Sequence, residues 1–181
     1  MSLLEIAQWI QSTDWATYIR SSADTYPVIL STHLTGIAMF GGAILITDLR
    51  LLGVILRTQP ISDVVGQLRL PKWIGLAVVA TCGLLLAGSK AEEYYYNVFF
   101  RTKLTLFALV FVHAMVFRKS VYNNTAALDQ ARRIPARAKL AAGLSLLLWI
   151  SIACAGRGIG YIEPPLDKLH ASISRPTELS R

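Results

Sequence analysis

Charge is scarce in this sequence where it matters most. From position 27 to 47 the chain runs 21 residues with no formal charge. Cysteine is scarce too. Cys82 and Cys154 are the only two, both lie in apolar runs, and they form no CxxC pair. This excludes a zinc ribbon and a disulfide framework, and reads as two small packing residues. There is no internal repeat and no low-complexity tract. The first 26 residues lack a basic leader followed by a continuous apolar run, so a cleaved signal peptide is not expected. Acidic residues number 11 against 18 basic, a net charge of +7 with a sequence pI near 9.7.

Apolar residues, by contrast, are abundant. They make up 54% of the chain, and the mean hydropathy is +0.47. An apolar stretch of about 20 residues rises ~30 Å as a helix, the thickness of a bilayer core. Four such stretches are expected, at about 27–47, 73–89, 97–117 and 140–162. The fold class is therefore all-α, an integral membrane four-helix bundle in one domain over 27–162. The first helix is expected to continue to about Arg57, where Gln59-Pro60 ends it. Residues 61–72 read as a short polar connection with Pro71 in the first turn of span two, and Pro135 breaks the basic connection 118–139. Residues 1–26 form an interfacial amphipathic segment. Leu3, Ile6, Ala7 and Ile10 recur at helical spacing with Trp9, Trp15 and Tyr18 nearby, and Ser12 to Asp14 break or re-cap the helix. The tail 163–181, with His170, is expected to be flexible.

The basic excess is not spread evenly. Segments 48–72 and 118–139 together carry ten basic and three acidic residues, and the rest of the chain carries eight of each. All of the +7 therefore lies on the first and third connections. By the positive-inside rule these face the cytoplasm, with both termini outside. The charge is then a topology signal, and a nucleic-acid partner is not expected.

One titratable side chain, His33, lies inside the first span. Burying an ionisable group at membrane depth costs free energy unless it has a partner, so it marks a functional hypothesis. Counting along the helices puts His33 ~9 Å below the outer boundary, Lys103 at the same ~9 Å, and Arg157 at ~7 Å. Arg101 is slightly shallower. An imidazole and three cations thus meet in the outer third. One reading is snorkelling cations neutralised by Glu92 and Glu93. The other is an anionic group inside the bundle, such as the propionates of a haem whose iron binds His33. Gly36 would let a flat ring approach the backbone, and Phe40 would lie along its edge. His113 is the only other histidine in a span. It falls ~15 Å deeper than His33, so sharing one metal with it needs tilt or shifted boundaries. Its other role is partner to Asp48, structural or as a proton relay. Gly36, Gly41, Gly42, Gly75 and Gly83 would permit close helix contacts.

The runs YPVILSTHLTGIAMFGGAILITDLRLLG, YYYNVFFRTKLTLFALVFVHAMVF and AGRGIGYI resemble an uncharacterised family of bacterial four-helix membrane proteins. More distantly, His33 and Lys103 are similar in placement to a histidine and a lysine in two other groups. These are the copper-resistance D-type membrane domains and the membrane protoporphyrinogen oxidase of bacterial haem synthesis. The second group also has a histidine where His113 stands. The resemblance implies a haem b or metal site, with His33 and His113 as metal ligands and His33, Lys103, His113, Gly36, Arg101 and Arg157 around the cofactor. The absence of multiple paired histidines limits this to one haem per chain. The expected function is a haem b redox protein of the bacterial inner membrane, carrying electrons between a quinone and an outer-face partner. Porphyrinogen oxidation, copper uptake and a purely structural subunit are the alternatives, and self-association into a homo-oligomer is a candidate assembly.

Overall fold

The structure, a computed structural model, describes residues 1–131 and 133–161; the tail with His170 lies outside the described residues. Among the described residues all regular structure is helical. Two short helices, α1 (Leu3–Ser12) and α2 (Asp14–Ser21), precede the long α3 (Thr25–Leu52) and α4 (Ile61–Ser89). The short α5 (Ala91–Tyr96) leads into α6 (Val98–Phe117), which a π-helical turn (Arg118–Tyr122) extends. Then come α7 (Thr125–Gln130) and α8 (Ala136–Ile159). Four segments, Thr25–Leu52, Ile61–Ser89, Val98–Tyr122 and Ala136–Ile159, are long and apolar enough to cross a membrane. The chain is an all-α, four-helix, multi-pass membrane protein. Its outer surface fits that solvent: Leu34, Leu45, Ile74, Leu84, Phe111, Leu147 and Ile150 are all exposed, as lipid-facing residues should be.

Local chemistry sets the helix ends. The α3 helix stops at Leu52, not near Arg57, because Gly53 takes the left-handed conformation (φ +75°) that an L side chain disfavours. The Gly53 and Val54 N–H groups then close back onto the last turn in a Schellman-type cap. Residues 61–72 are not a separate connection. They are the first turns of α4, which runs through Pro71 without a break. Proline costs a helix one hydrogen bond, and a long packed helix absorbs that loss. Asn97 caps α6, its side chain accepting from the Phe100 N–H at 3.1 Å. Pro135 sits just before α8, where its missing N–H costs nothing.

Small residues hold the spans together. The α3–α4 interface is the most extensive, α8 packs on both α3 and α6, and α4 and α6 are not closely packed on each other. A Cβ placed on Gly75 would come within 2.8 Å of the Phe40 backbone nitrogen. One placed on Gly36 would meet Val78 Cγ1 at 2.8 Å. Without a hydrophobic force between helices in lipid, such close approach is the main source of packing energy. Gly41 and Gly42 have no such neighbour. Cys82 is buried as expected, but Cys154 is exposed on the outside of α8. The main hydrophobic cluster, with Leu51, Ile61, Phe117, Val121 and Leu128, lies at one end of the bundle against Ala138, Ala141 and Ala142 of α8.

The other end carries α1, α2 and α5. A capping box between Ser2 and Glu5 starts α1, and the chain re-enters a helix after Thr13. Polar residues dock α1: Gln8 donates to the Glu92 carboxylate at 2.8 Å, and the Gln11 side chain accepts from the Glu92 N–H at 2.9 Å. Its apolar residues Leu3, Ile6 and Trp9 stay exposed. That arrangement suits a helix lying in the membrane interface rather than one folded onto a soluble core. Trp15 of α2 lies against Gly88, and Arg20 donates to the Ser89 carbonyl at 3.0 Å.

Candidate functional site

His33 sits in the half of the bundle nearer the N-terminal helices. It projects from α3 into the α4 interface, where Gly83 makes room: a Cβ there would lie 3.1 Å from the imidazole Cε1. The residue is only 9% exposed. The Val79 backbone carbonyl lies near its ring, and Nδ1 is buried with no hydrogen-bond partner. Leaving a buried polar atom unsatisfied costs about 1–3 kcal/mol. A buried ring nitrogen with no partner in the protein is free to bind a metal.

Lys103 of α6 faces this histidine closely enough for their charges to interact. Its Nζ lies 3.6 Å from the Cβ position of Gly156 on α8 and 5.8 Å from the Phe107 ring centroid. The pairing of Lys103 with the α8 end matches the depths counted along the sequence. Beneath this layer Trp149 meets Phe40 edge-on at 5.1 Å and Phe107 at 6.4 Å. Aromatic rings thus floor the space between α3, α6 and α8.

The other expected site residues fall elsewhere. Gly36 does not face open space for a flat ring; Val78 and Val79 fill its surroundings, and its role is helix packing. Phe40 packs against Trp149 and the Gly75 backbone. Arg101 and Arg157 are exposed. Arg157 donates to the Tyr161 hydroxyl at 2.8 Å and lies over that ring. Glu93 pairs with Lys90 at 3.2 Å, and Glu92 is held by Gln8 and Gln11.

His113 is not brought to His33. Its Nε2 is 2.9 Å from the Ala141 carbonyl, and its ring packs on Phe117 and Tyr122. Ala141 and Gly156 mark the levels of His113 and Lys103 on the same helix, ~22 Å apart at ~1.5 Å per residue. The two histidines therefore stand in different halves of the bundle, as straight helices require.

The sequence reading did not find the polar layer in that second half. Asp48 is 2% exposed. The Ser145 hydroxyl lies near both the Asp48 carboxyl and the Tyr122 phenol, and the charge of Lys72 acts on that carboxyl. Asp48 Oδ2 has no partner. Ser145 and Tyr122 belong to different helical segments, so no local motif announces the cluster. The sequence reading placed Asp48 at the start of the first connection, as a candidate partner of His113; the His113 Nε2 lies instead on the Ala141 carbonyl. Nearby, Asp129 of α7 accepts from the Ile61 and Ser62 N–H groups, capping α4 from a distant part of the chain. Slight burial pushes its carboxyl up, but bonds from the Ser62 hydroxyl and these two N–H groups, with Arg50 nearby, hold it below the usual carboxylate range.

Fold and site together define a class: a four-span helical membrane protein with a buried imidazole, its Nδ1 without a partner, in the same half as a lysine. The chain belongs to a family of unknown function (DUF6644), whose model matches residues 8–162. No curated protein and no solved structure matches it.

Proposed function

We propose that the chain binds one haem b through His33. It would act as a redox protein of the bacterial inner membrane, passing electrons between a quinone and an outer-face partner. The observation that carries this reading is the His33 ring, buried near the Val79 carbonyl with Nδ1 lacking a partner. The donor set supports haem over bare copper. Among the described residues no three His, Cys, Asp or Glu side chains group to hold an ion. A haem brings its own four nitrogens and asks the protein for one or two ligands.

When bound, the iron supplies one-electron chemistry. His33 would hold it, and the Val79 carbonyl would fix the tautomer and ring orientation. Lys103 would place a positive charge for a propionate or, in its neutral form, a second ligand. Trp149, Phe40 and Phe107 would keep water from the face toward the bundle centre. Arg101 and Arg157, at the surface of the same end, would reach propionates only at the rim. His113 is left out of the ligand set by its separation along the bundle. The same His33–Lys103 pair carries the distant likeness to protoporphyrinogen oxidase and the copper-resistance domains. It supports porphyrinogen oxidation as the alternative chemistry. The basic loops lie at the end opposite α1 and α2, which supports a topology with both termini outside.

The test is the visible spectrum of the detergent-purified protein, oxidised and then dithionite-reduced. The expected result is a Soret band with α and β bands on reduction, lost in His33→Ala while the variant still inserts. A colourless wild-type protein, with or without added haem precursor, or a His33→Ala variant with full haem occupancy, overturns the reading.

A further inference from the structure

The end of the bundle farthest from His33 holds a feature the redox reading does not use. A cavity of about 730 Å³ opens between the end of α3, the α3–α4 loop, α7 and the start of α8. That lies within the range of small-ligand sites, ~300–1,000 Å³. Its charge is one-sided. Arg50, Arg57, Arg133 and Lys139 line it against a single carboxylate, Asp129. That carboxylate also accepts from the Ile61 and Ser62 N–H groups at the α4 start, and its single charge stands against four cations.

Arg50 is the decisive residue. It is only 8% exposed, yet its guanidinium is held by a neutral group. Nε and Nη2 both donate to the Gln59 carbonyl, at 3.0 and 2.6 Å. Among the described residues no carboxylate lies within ion-pair distance of it. Asp129 acts on it from beyond that distance, but one carboxylate among four cations leaves the site with a net positive charge that an anion would offset. The carbonyl clamp leaves Nη1 unassigned, on a residue that lines the cavity.

We propose that this cavity binds a phosphate group. Arg57, Arg133 and Lys139 are exposed residues on three separate segments. They bring cations to the cavity from different parts of the chain, which suits the several oxygens of a phosphate, and guanidinium groups match phosphate geometry. The cavity lies where spans α3, α4 and α8 end, the level of lipid headgroups, and basic pockets between span ends are a known form of anionic headgroup site. A phospholipid and a soluble phosphate share this chemistry, and the experiment separates them.

Delipidated full-length protein in detergent is titrated with phosphatidylglycerol in mixed micelles, with phosphatidylcholine, and with inorganic phosphate, reading binding by thermal shift. Phosphatidylglycerol is expected to raise the midpoint, and phosphatidylcholine is not. Arg57→Gln/Arg133→Gln is expected to weaken the response at least tenfold, and Lys139→Gln alone to weaken it less. Arg118→Gln/Lys119→Gln removes the same charge from exposed positions outside the cavity and is expected to leave it unchanged. A response to inorganic phosphate as well identifies a soluble phosphate as sufficient; a response to phosphatidylglycerol alone identifies the lipid. The proposal is overturned if neither anion shifts the midpoint, if phosphatidylcholine acts equally, or if the Arg118/Lys119 variant loses as much as the cavity variant. Haem content is unaffected by any of these results, so this test and that of the redox reading fail independently.

Discussion

Replacing Gly75 with alanine tests the claim that glycines set the α3–α4 distance. The new Cβ would sit 2.8 Å from the Phe40 backbone nitrogen, 3.0 Å from its Cβ and 3.1 Å from its Cα. Ordinary contact begins at 3.4 Å, so α3 must recede by about 0.6 Å or bend. All three atoms belong to or adjoin a helix backbone, which cannot rotate away as a side-chain tip can. Overpacking of this kind costs about 1–3 kcal/mol, against a gain of ~1 kcal/mol in helix propensity for alanine over glycine. The interface is the largest in the bundle, so the strain has no easy outlet. Gly36→Ala meets only valine side chains, the nearest at 2.8 Å, and is expected to cost less. Gly41→Ala meets nothing within 4 Å and is expected to be neutral or mildly stabilising. In thermal unfolding in detergent, Gly75→Ala should lower the midpoint by up to roughly 8 °C, with Gly36→Ala between it and Gly41→Ala. If Gly75→Ala unfolds with or above Gly41→Ala, the close approach of α3 and α4 is not what holds the bundle.

Two further outcomes follow from particular bonds. His113→Ala removes the bridge from α6 to the Ala141 carbonyl and should destabilise the bundle by about 1–3 kcal/mol, while any haem bound at His33 stays in place; loss of haem in this variant would contradict the separation of the two histidines. Asp129→Ala removes the cap on the start of α4 and should cost ~1 kcal/mol near neutral pH. Its pH signature has a fixed sign. The Asp129 carboxyl is held below the usual range in the folded chain, so its contribution is complete above the unfolded value of about 3.9 and is lost as pH falls through the folded value. The difference between wild type and variant in urea unfolding should therefore shrink on acidification below about pH 4; a difference that grows would refute the capping role.

Much of this protein is determined by sequence alone, because in a bilayer the requirement is local. Each span must satisfy its own backbone hydrogen bonds and present about 20 apolar residues, so four helices can be read from composition and length. The depths of His33, Lys103 and His113 follow from the fixed rise of a helix, and the structure keeps Lys103 at the level of Gly156 and His113 at that of Ala141. Helix ends were less legible. Gly53 stopped α3 early, whereas Pro71 did not stop α4, because a backbone breaker acts only when the surrounding packing lets it. Tertiary structure alone decided which face of each helix meets which neighbour. It turned Gly36 toward Val78, gave His33 its place against Gly83, and assembled Asp48, Ser145 and Tyr122 from three segments. It also gathered Arg50, Arg57, Arg133 and Lys139 around one cavity. The physical reason is rotation about the helix axis. A uniformly apolar span carries almost no amphipathic signal to show which side is inside, so the azimuth of every side chain waits on the contacts between helices.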